Sequence, residues 1–141
     1  MEYDYEEGYF ARQKKLEYWK AKKVFDGKYL VPLIDRDAHT LNAGCGLFVE
    51  KDTLRLGDIV CSDISRSVLS KLAAQGLKTK RADLKGKWPF KDGEFGQVLL
   101  LDVMEHLGHI DNFLKELYRV TSKGGKVVLG IPLLNHWRSR L

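Results

Sequence analysis

The stretch His39-Thr40-Leu41-Asn42-Ala43-Gly44-Cys45-Gly46 is a short apolar run that ends in two closely spaced glycines. It reads as a β-strand running into a loop where the missing Cβ atoms let backbone approach a ligand closely. Downstream, short apolar runs alternate with helical patterns. Ile59-Val60-Cys61-Ser62 is a second strand, closed by Asp63. Ser65 is placed to cap a helix carrying Val68, Leu69, Leu72 and Ala73, which Gly76 stops. Leu77 to Ala82 is a third, weaker strand, and Gln97-Val-Leu-Leu-Leu101 has the near-continuous apolar character of a central strand covered on both faces. Residues 110–120 gather Ile110, Phe113, Leu114, Leu117 and Val120 on one helical face. Lys123-Gly124-Gly125 is expected to break that helix before a fifth strand, Lys126 to Ile131, ended by Pro132. Strands alternating with helices predict a parallel sheet with right-handed crossovers, an open α/β fold.

Composition agrees. The chain has 141 residues, 44% of them apolar and 30% charged, the balance of one soluble domain with a buried core. Such a length buries roughly two thirds of its unfolded surface and needs no disulfides. Cys45 and Cys61 are the only cysteines, and neither has metal-ligand spacing. No apolar run approaches the roughly 18 residues of a membrane span, and the acidic start MEYDYEEGYF is not read as a signal peptide. These features exclude a disulfide scaffold, a zinc module and a membrane-spanning protein, and the expected location is the cytoplasm. The net charge is +5 and unevenly spread. Residues 11–28 carry seven bases, and Lys78 to Lys91 carries six against Asp83 alone. Such stripes suit phosphates or an acidic partner, or are simply solvated surface.

In open parallel sheets, ligands bind at the carboxyl ends of the strands, near the first. The distinctive residues fall there. Gly44 and Gly46 follow strand 1. Asp63 ends strand 2, 19 residues after Gly44, where a carboxylate can accept both ribose hydroxyls of a nucleoside. Asp83 ends strand 3, placed to accept from an adenine amino group, and Asp102 ends strand 4. Together these strand ends describe a nucleoside pocket.

Leu41-Asn-Ala-Gly-Cys-Gly46, Asp63, Asp83, Phe95-Gly-Gln-Val98 and Asp102-Val-Met-Glu-His-Leu107 resemble the blocks of class I S-adenosylmethionine-dependent methyltransferases. Arg119-Val-Thr-Ser-Lys-Gly-Gly-Lys126 and Gly130-Ile-Pro132 resemble the later blocks, in order and spacing. The pattern is most similar to the small-molecule branch related to ubiquinone and menaquinone biosynthesis. The resemblance implies a Rossmann-like sheet of strand order 3-2-1-4-5, an S-adenosylmethionine donor and methyl transfer to a small-molecule acceptor. It implies a donor site built from Asn42, Ala43, Gly44, Cys45, Gly46, Asp63, Ile64, Asp83, Leu84, Leu101, Asp102 and Val103. Within it Gly44 and Gly46 would border the methionine part, Asp63 the ribose, Asp83 and Leu84 the adenine, and Leu101 and Asp102 the sulfonium side.

Three positions depart from that family. Asn42 stands where an acid is usual, which removes a charge near the donor's amino group. Phe48 replaces a third glycine, so the loop is expected to widen or the ring to turn outward. Val49 to Leu56 leaves about two turns for the first helix. Rival readings are a nicotinamide dehydrogenase, whose fingerprint needs glycine where Val49 stands, and a donor-binding partner subunit with weak chemistry. RNA or protein as the acceptor is a further alternative.

An imidazole can act as a general base, and His106 is the candidate here, needed only if the acceptor must lose a proton. Packing over the donor or capping the following helix are its other readings. Asp102, Glu105 and His106 would need His109, Asp111 or His136 to complete a metal site, and no metal is expected.

Residues 1–36 are expected to form a helical segment on the acceptor side, 37–132 the donor-binding core, and 133–141 a short tail. Two further strands usual in the family have no counterpart in that tail. Strand 5 is therefore expected to be an apolar sheet edge covered by another chain, most simply in a homodimer.

Overall fold

The computed structural model describes residues 26–48 and 51–131. The element order is β1 (Thr40–Ala43), α1 (Lys51–Leu54), β2 (Ile59–Asp63), α2 (Arg66–Ala74), β3 (Lys78–Arg81), β4 (Phe95–Leu101), α3 (Asp111–Val120) and β5 (Thr121–Gly130). The chain divides into two compact units, one containing residues up to Ile34 with Glu50–Arg55, the other Asp35–Val49 with Leu56 onward.

In the first unit, the described residues are a helical turn at Asp26–Leu30, a second at Val31–Leu33 with Pro32 in its first turn, and α1, which packs on the Asp26–Leu30 turn. Proline is tolerated there because the first N–H groups of a helix have no intrahelical partner. The amino-terminal helix expected before residue 26, and the tail from residue 132, lie outside the described residues.

In the second unit, five parallel strands lie in the order β3-β2-β1-β4-β5. Register fixes the faces. Leu41 pairs with Val60 and Val98, while Asn42 pairs with Cys61 and Leu99. Side chains therefore alternate between two faces, as the pleat requires. Leu41, Ala43, Val98 and Leu100 pack against Phe113, Leu117 and Val120 of α3, together with Leu84, Trp88 and Val103. The Trp88 and Phe113 rings meet edge to face at 5.4 Å. The opposite face carries a buried polar pin: Gln97 Nε2 donates to Thr40 Oγ1 and to the Asp35 carbonyl, and its Oε1 accepts the Asp35 N–H at 2.9 Å.

The α2 helix lies against β2 and β3 through Val68, Leu69 and Leu72. It starts where expected: Ser65 Oγ accepts the Val68 N–H at 3.3 Å. It ends where Gly76 turns left-handed, with φ at 82°. Loss of the cap in Ser65→Ala is expected to cost about 1 kcal/mol, read as a lower urea midpoint at unchanged m-value.

The end of the sheet corrects one expectation. The Lys123-Gly124-Gly125 segment does not separate α3 from β5; the strand begins at Thr121, directly after the helix. Phe95 pairs with Thr121 but Gln97 pairs with Lys126, so the extra residues form a bulge opposite Gly96. Two glycines allow it. Gly124 has φ of 76°, and a Cβ on Gly125 would sit 2.8 Å from the Ser122 carbonyl oxygen. Among the described residues β5 pairs only with β4, and Val127 and Leu129 on it, with Ile131 just after it, are exposed.

Candidate functional site

The carboxyl ends of the strands converge on the loop after β1. Gly44 and Gly46 both have positive φ, 68° and 49°. A Cβ on Gly44 would lie 2.8 Å from Val103 Cγ2 and 3.4 Å from Leu84 Cδ1. Only glycine lets the backbone pass between those two side chains without displacing them. The loop is tied to β2 by the Cys45 N–H, which donates to the Ser62 carbonyl at 2.9 Å.

Asp63 holds the same loop through its side chain. Its Oδ2 accepts the Gly46 N–H at 3.0 Å, and its Oδ1 accepts the Ser65 N–H at 2.9 Å. Each carboxylate oxygen has two lone pairs, so both retain acceptor capacity while the backbone fixes their position. The side chain is half-buried. A carboxylate held in this way can take a pair of neighbouring hydroxyls.

The other predicted residues sort by position. Asp83 is exposed after β3, in a turn where its Oδ1 accepts the Lys85 N–H and its carbonyl accepts the Gly86 N–H. Ile64 is 56% exposed, an apolar surface at the end of β2. Leu84 and Val103 are core side chains that also border Gly44. Leu101 is half-buried against Gly130. Asp102 is exposed and left-handed, with φ of 56°, and its N–H donates to the Gly130 carbonyl at 2.9 Å. Aspartate tolerates that region better than most residues, at a cost of about 1 kcal/mol.

Asn42 and Ala43 are buried at the end of β1. Asn42 is only 1% exposed, yet among the described residues its Nδ2 has no partner, and Ser62 Oγ is likewise unpartnered. A buried donor without an acceptor costs about 1–3 kcal/mol. A hydrogen bond with Cys61 and burial push the Cys45 thiol up from its ordinary value, which disfavours the thiolate.

At Phe48 the structure corrects the outward-turned ring, one of the two expectations for this loop. Its ring is 3% exposed, so it turns inward, and its backbone adopts φ of 45°, the conformation natural to the glycine it replaces. Ring burial of roughly 2–3 kcal/mol outweighs the roughly 1 kcal/mol of backbone strain. Among the described residues the first helix, α1, covers Lys51–Leu54.

His106 lies in a short turn, Met104–His106, and its side chain is 59% exposed, with Nε2 4.0 Å from Glu105 Oε1. It does not cap α3, whose N-cap residue is Ile110. Among the described residues no group of three or more His, Cys, Asp or Glu side chains is placed to hold a metal ion. His136 lies outside them.

A family model described as a methyltransferase domain matches residues 41–129. The chain belongs to this family. Its fold is that of class I S-adenosylmethionine-dependent methyltransferases. An uncharacterized protein of Methanocaldococcus jannaschii is 31% identical over 94 residues, 64% of this chain and 42% of that one. A Thermotoga maritima S-adenosylmethionine-dependent methyltransferase superposes with a TM-score of 0.71 at 19% identity, over 84% of this chain and 55% of that one. A Haloferax volcanii methyltransferase, solved with the activator Trm112, gives a TM-score of 0.66 at 18% identity, over 86% and 56%. The chain thus spans about half the length of these proteins.

In this methyltransferase domain, two site features escaped sequence reasoning. One is the Gly46–Asp63 hydrogen bond; the other is the wedge of Leu84 and Val103 on Gly44. A glycine followed by an acid at the next strand end signals the first, while the second depends on residues far apart in sequence.

Proposed function

We propose that this domain binds S-adenosylmethionine at the carboxyl ends of β1, β2 and β3 and transfers its methyl group to a small-molecule acceptor. The observation that carries the reading is the Asp63 carboxylate, fixed by the Gly46 and Ser65 N–H groups with acceptor capacity to spare beside a loop that only glycine can make. The residues present fit that donor. Asp63 would accept the ribose hydroxyls, Asp83 the adenine amino group, and Ile64 would offer apolar surface to the adenine. The unpartnered Asn42 Nδ2 supplies a buried hydrogen-bond donor at the methionine end, where the family usually places an acid. Gly44, Cys45 and Gly46 would line the methionine part, and Leu101, Asp102 and Val103 its sulfonium side.

Bound there, the donor supplies an electrophilic methyl group on a positively charged sulfur. The protein's share is then positioning and exclusion of water, with a base needed only for an acceptor that must lose a proton. His106, on the exposed turn after β4, would take that proton.

Calorimetry with S-adenosylhomocysteine followed by a methyl-transfer assay over an acceptor panel tests the reading. Saturable binding and turnover are expected. Absence of binding overturns the donor site. Binding without turnover of any acceptor favours the second reading, a donor-binding partner subunit, which the neutral Asn42 and the Phe48 loop support.

A further inference from the structure

Among the described residues, the β3 edge and the loop after it carry a run of bases outside the donor site. Lys78, Lys80, Arg81, Lys85, Lys87 and Lys91 are all exposed, and Asp83 is the only acid between Lys78 and Lys91. Among the described residues β3 pairs only with β2, so it is a sheet edge. Lys78 pairs with Val60 and Lys80 with Ser62, which turns both lysines to the face on which Val60 packs against the α3 core. The loop after β3 is drawn to that same face. Asn112 of α3 donates from Nδ2 to the carbonyls of Lys85 and Gly86, at 3.0 and 2.9 Å. Lys87 lies near enough to Glu116 of α3 to help hold its carboxylate charged.

Lys78 is engaged with Asp58 at 2.9 Å, and Lys87 is partly offset by Glu116. Lys80 and Lys85 have no ion-pair partner among the described residues. Arg81 commits Nε to the Ile64 carbonyl at 3.1 Å. Lysines on an edge strand also discourage edge-to-edge pairing, which accounts for Lys78 and Lys80. That explanation does not reach Lys85, Lys87 and Lys91, which lie in a loop.

We infer that the β3 edge and the loop after it dock the phosphate backbone of a nucleic acid. The chemistry around the charges favours this over an acidic protein. No large apolar side chain is exposed between residues 77 and 91, and Trp88 is fully buried. A protein partner needs an apolar centre of contact, whereas nucleic-acid interfaces are polar and strongly positive. Residues 77–91 expose no aromatic ring for stacking either, so their contacts are to phosphates rather than bases and carry little sequence preference.

The test is fluorescence anisotropy of the full chain with a labelled 20-base-pair RNA duplex, over a salt series. Binding should weaken as salt rises, with a log–log slope of about −4 for four to five phosphate contacts. Lys80→Glu with Lys85→Glu should lower affinity about 10-fold or more and reduce the slope by about 2, while Lys80→Arg with Lys85→Arg retains binding. Melting temperature and S-adenosylhomocysteine affinity should be unchanged in both, which separates this surface from the donor site. No binding by the native chain, unchanged binding by the folded charge-reversal variant, or tighter binding of a polyglutamate peptide of equal charge would each overturn the inference.

Discussion

Asp63→Ala is expected to weaken S-adenosylhomocysteine binding by about 100-fold, close to 2.7 kcal/mol. Two ribose hydroxyls would each lose a charged acceptor, and hydrogen bonds to charged groups contribute about 1.5–3 kcal/mol apiece. The same substitution releases the Gly46 and Ser65 N–H groups, so the glycine loop also loses its link to the end of β2. Asp63→Asn separates the two effects. It keeps one carbonyl oxygen and loses the charge, and should weaken binding about 10-fold. Calorimetry on variants that retain a cooperative melting transition reads both. Native affinity in folded Asp63→Ala would reduce the carboxylate to a loop tether and remove the ribose assignment.

The parallel sheet was legible because its central strands have no solvent face. Val98 to Leu100 are apolar in sequence because β4 is covered on both sides. Strand-end aspartates were legible for a different reason: each sits where a strand stops, a boundary visible from composition alone. The failures share a cause as well. An outward ring at Phe48 follows from local size alone, but tertiary burial of the ring overrides it. Lys123-Gly124-Gly125 was read as a break because two glycines usually end a helix. The structure uses them to bend a strand that has already started. Local propensity gave the right residues and the wrong job for them. Nothing in local sequence marks the Leu84–Gly44–Val103 contact, which joins three chain segments.

Glu116, a charged residue buried on α3, should strongly affect stability when it is lost. It is 8% exposed on α3, and its Oε2 accepts the Trp88 N–H at 2.7 Å. The Arg119 guanidinium meets both its oxygens, at 2.9 and 2.7 Å. Arg119 in turn donates to the carbonyls of Trp88 and Phe90, so the pair clamps the Trp88–Phe90 loop to the helix. Hydrogen bonding to Arg119, and then to the Trp88 N–H, lowers the Glu116 carboxyl from its ordinary 4.5 to about 2, against the opposing effect of burial. Glu116→Gln keeps the shape and removes the charge, and it turns an amide N–H₂ toward groups that are themselves donors. The expected loss is about 3 kcal/mol at pH 7, the range found when one partner of a buried pair is removed. The pH dependence follows from the direction of the shift. A carboxyl with a depressed folded pKa contributes its full stability above the unfolded value and loses it as pH falls through the folded one. Urea unfolding of the native chain should therefore show stability declining between about pH 4.5 and pH 2, with a shallower decline in the variant. A variant as stable as the native chain at pH 7, or one with the same acid dependence, would show that the Glu116–Arg119 pair contributes nothing net to the fold.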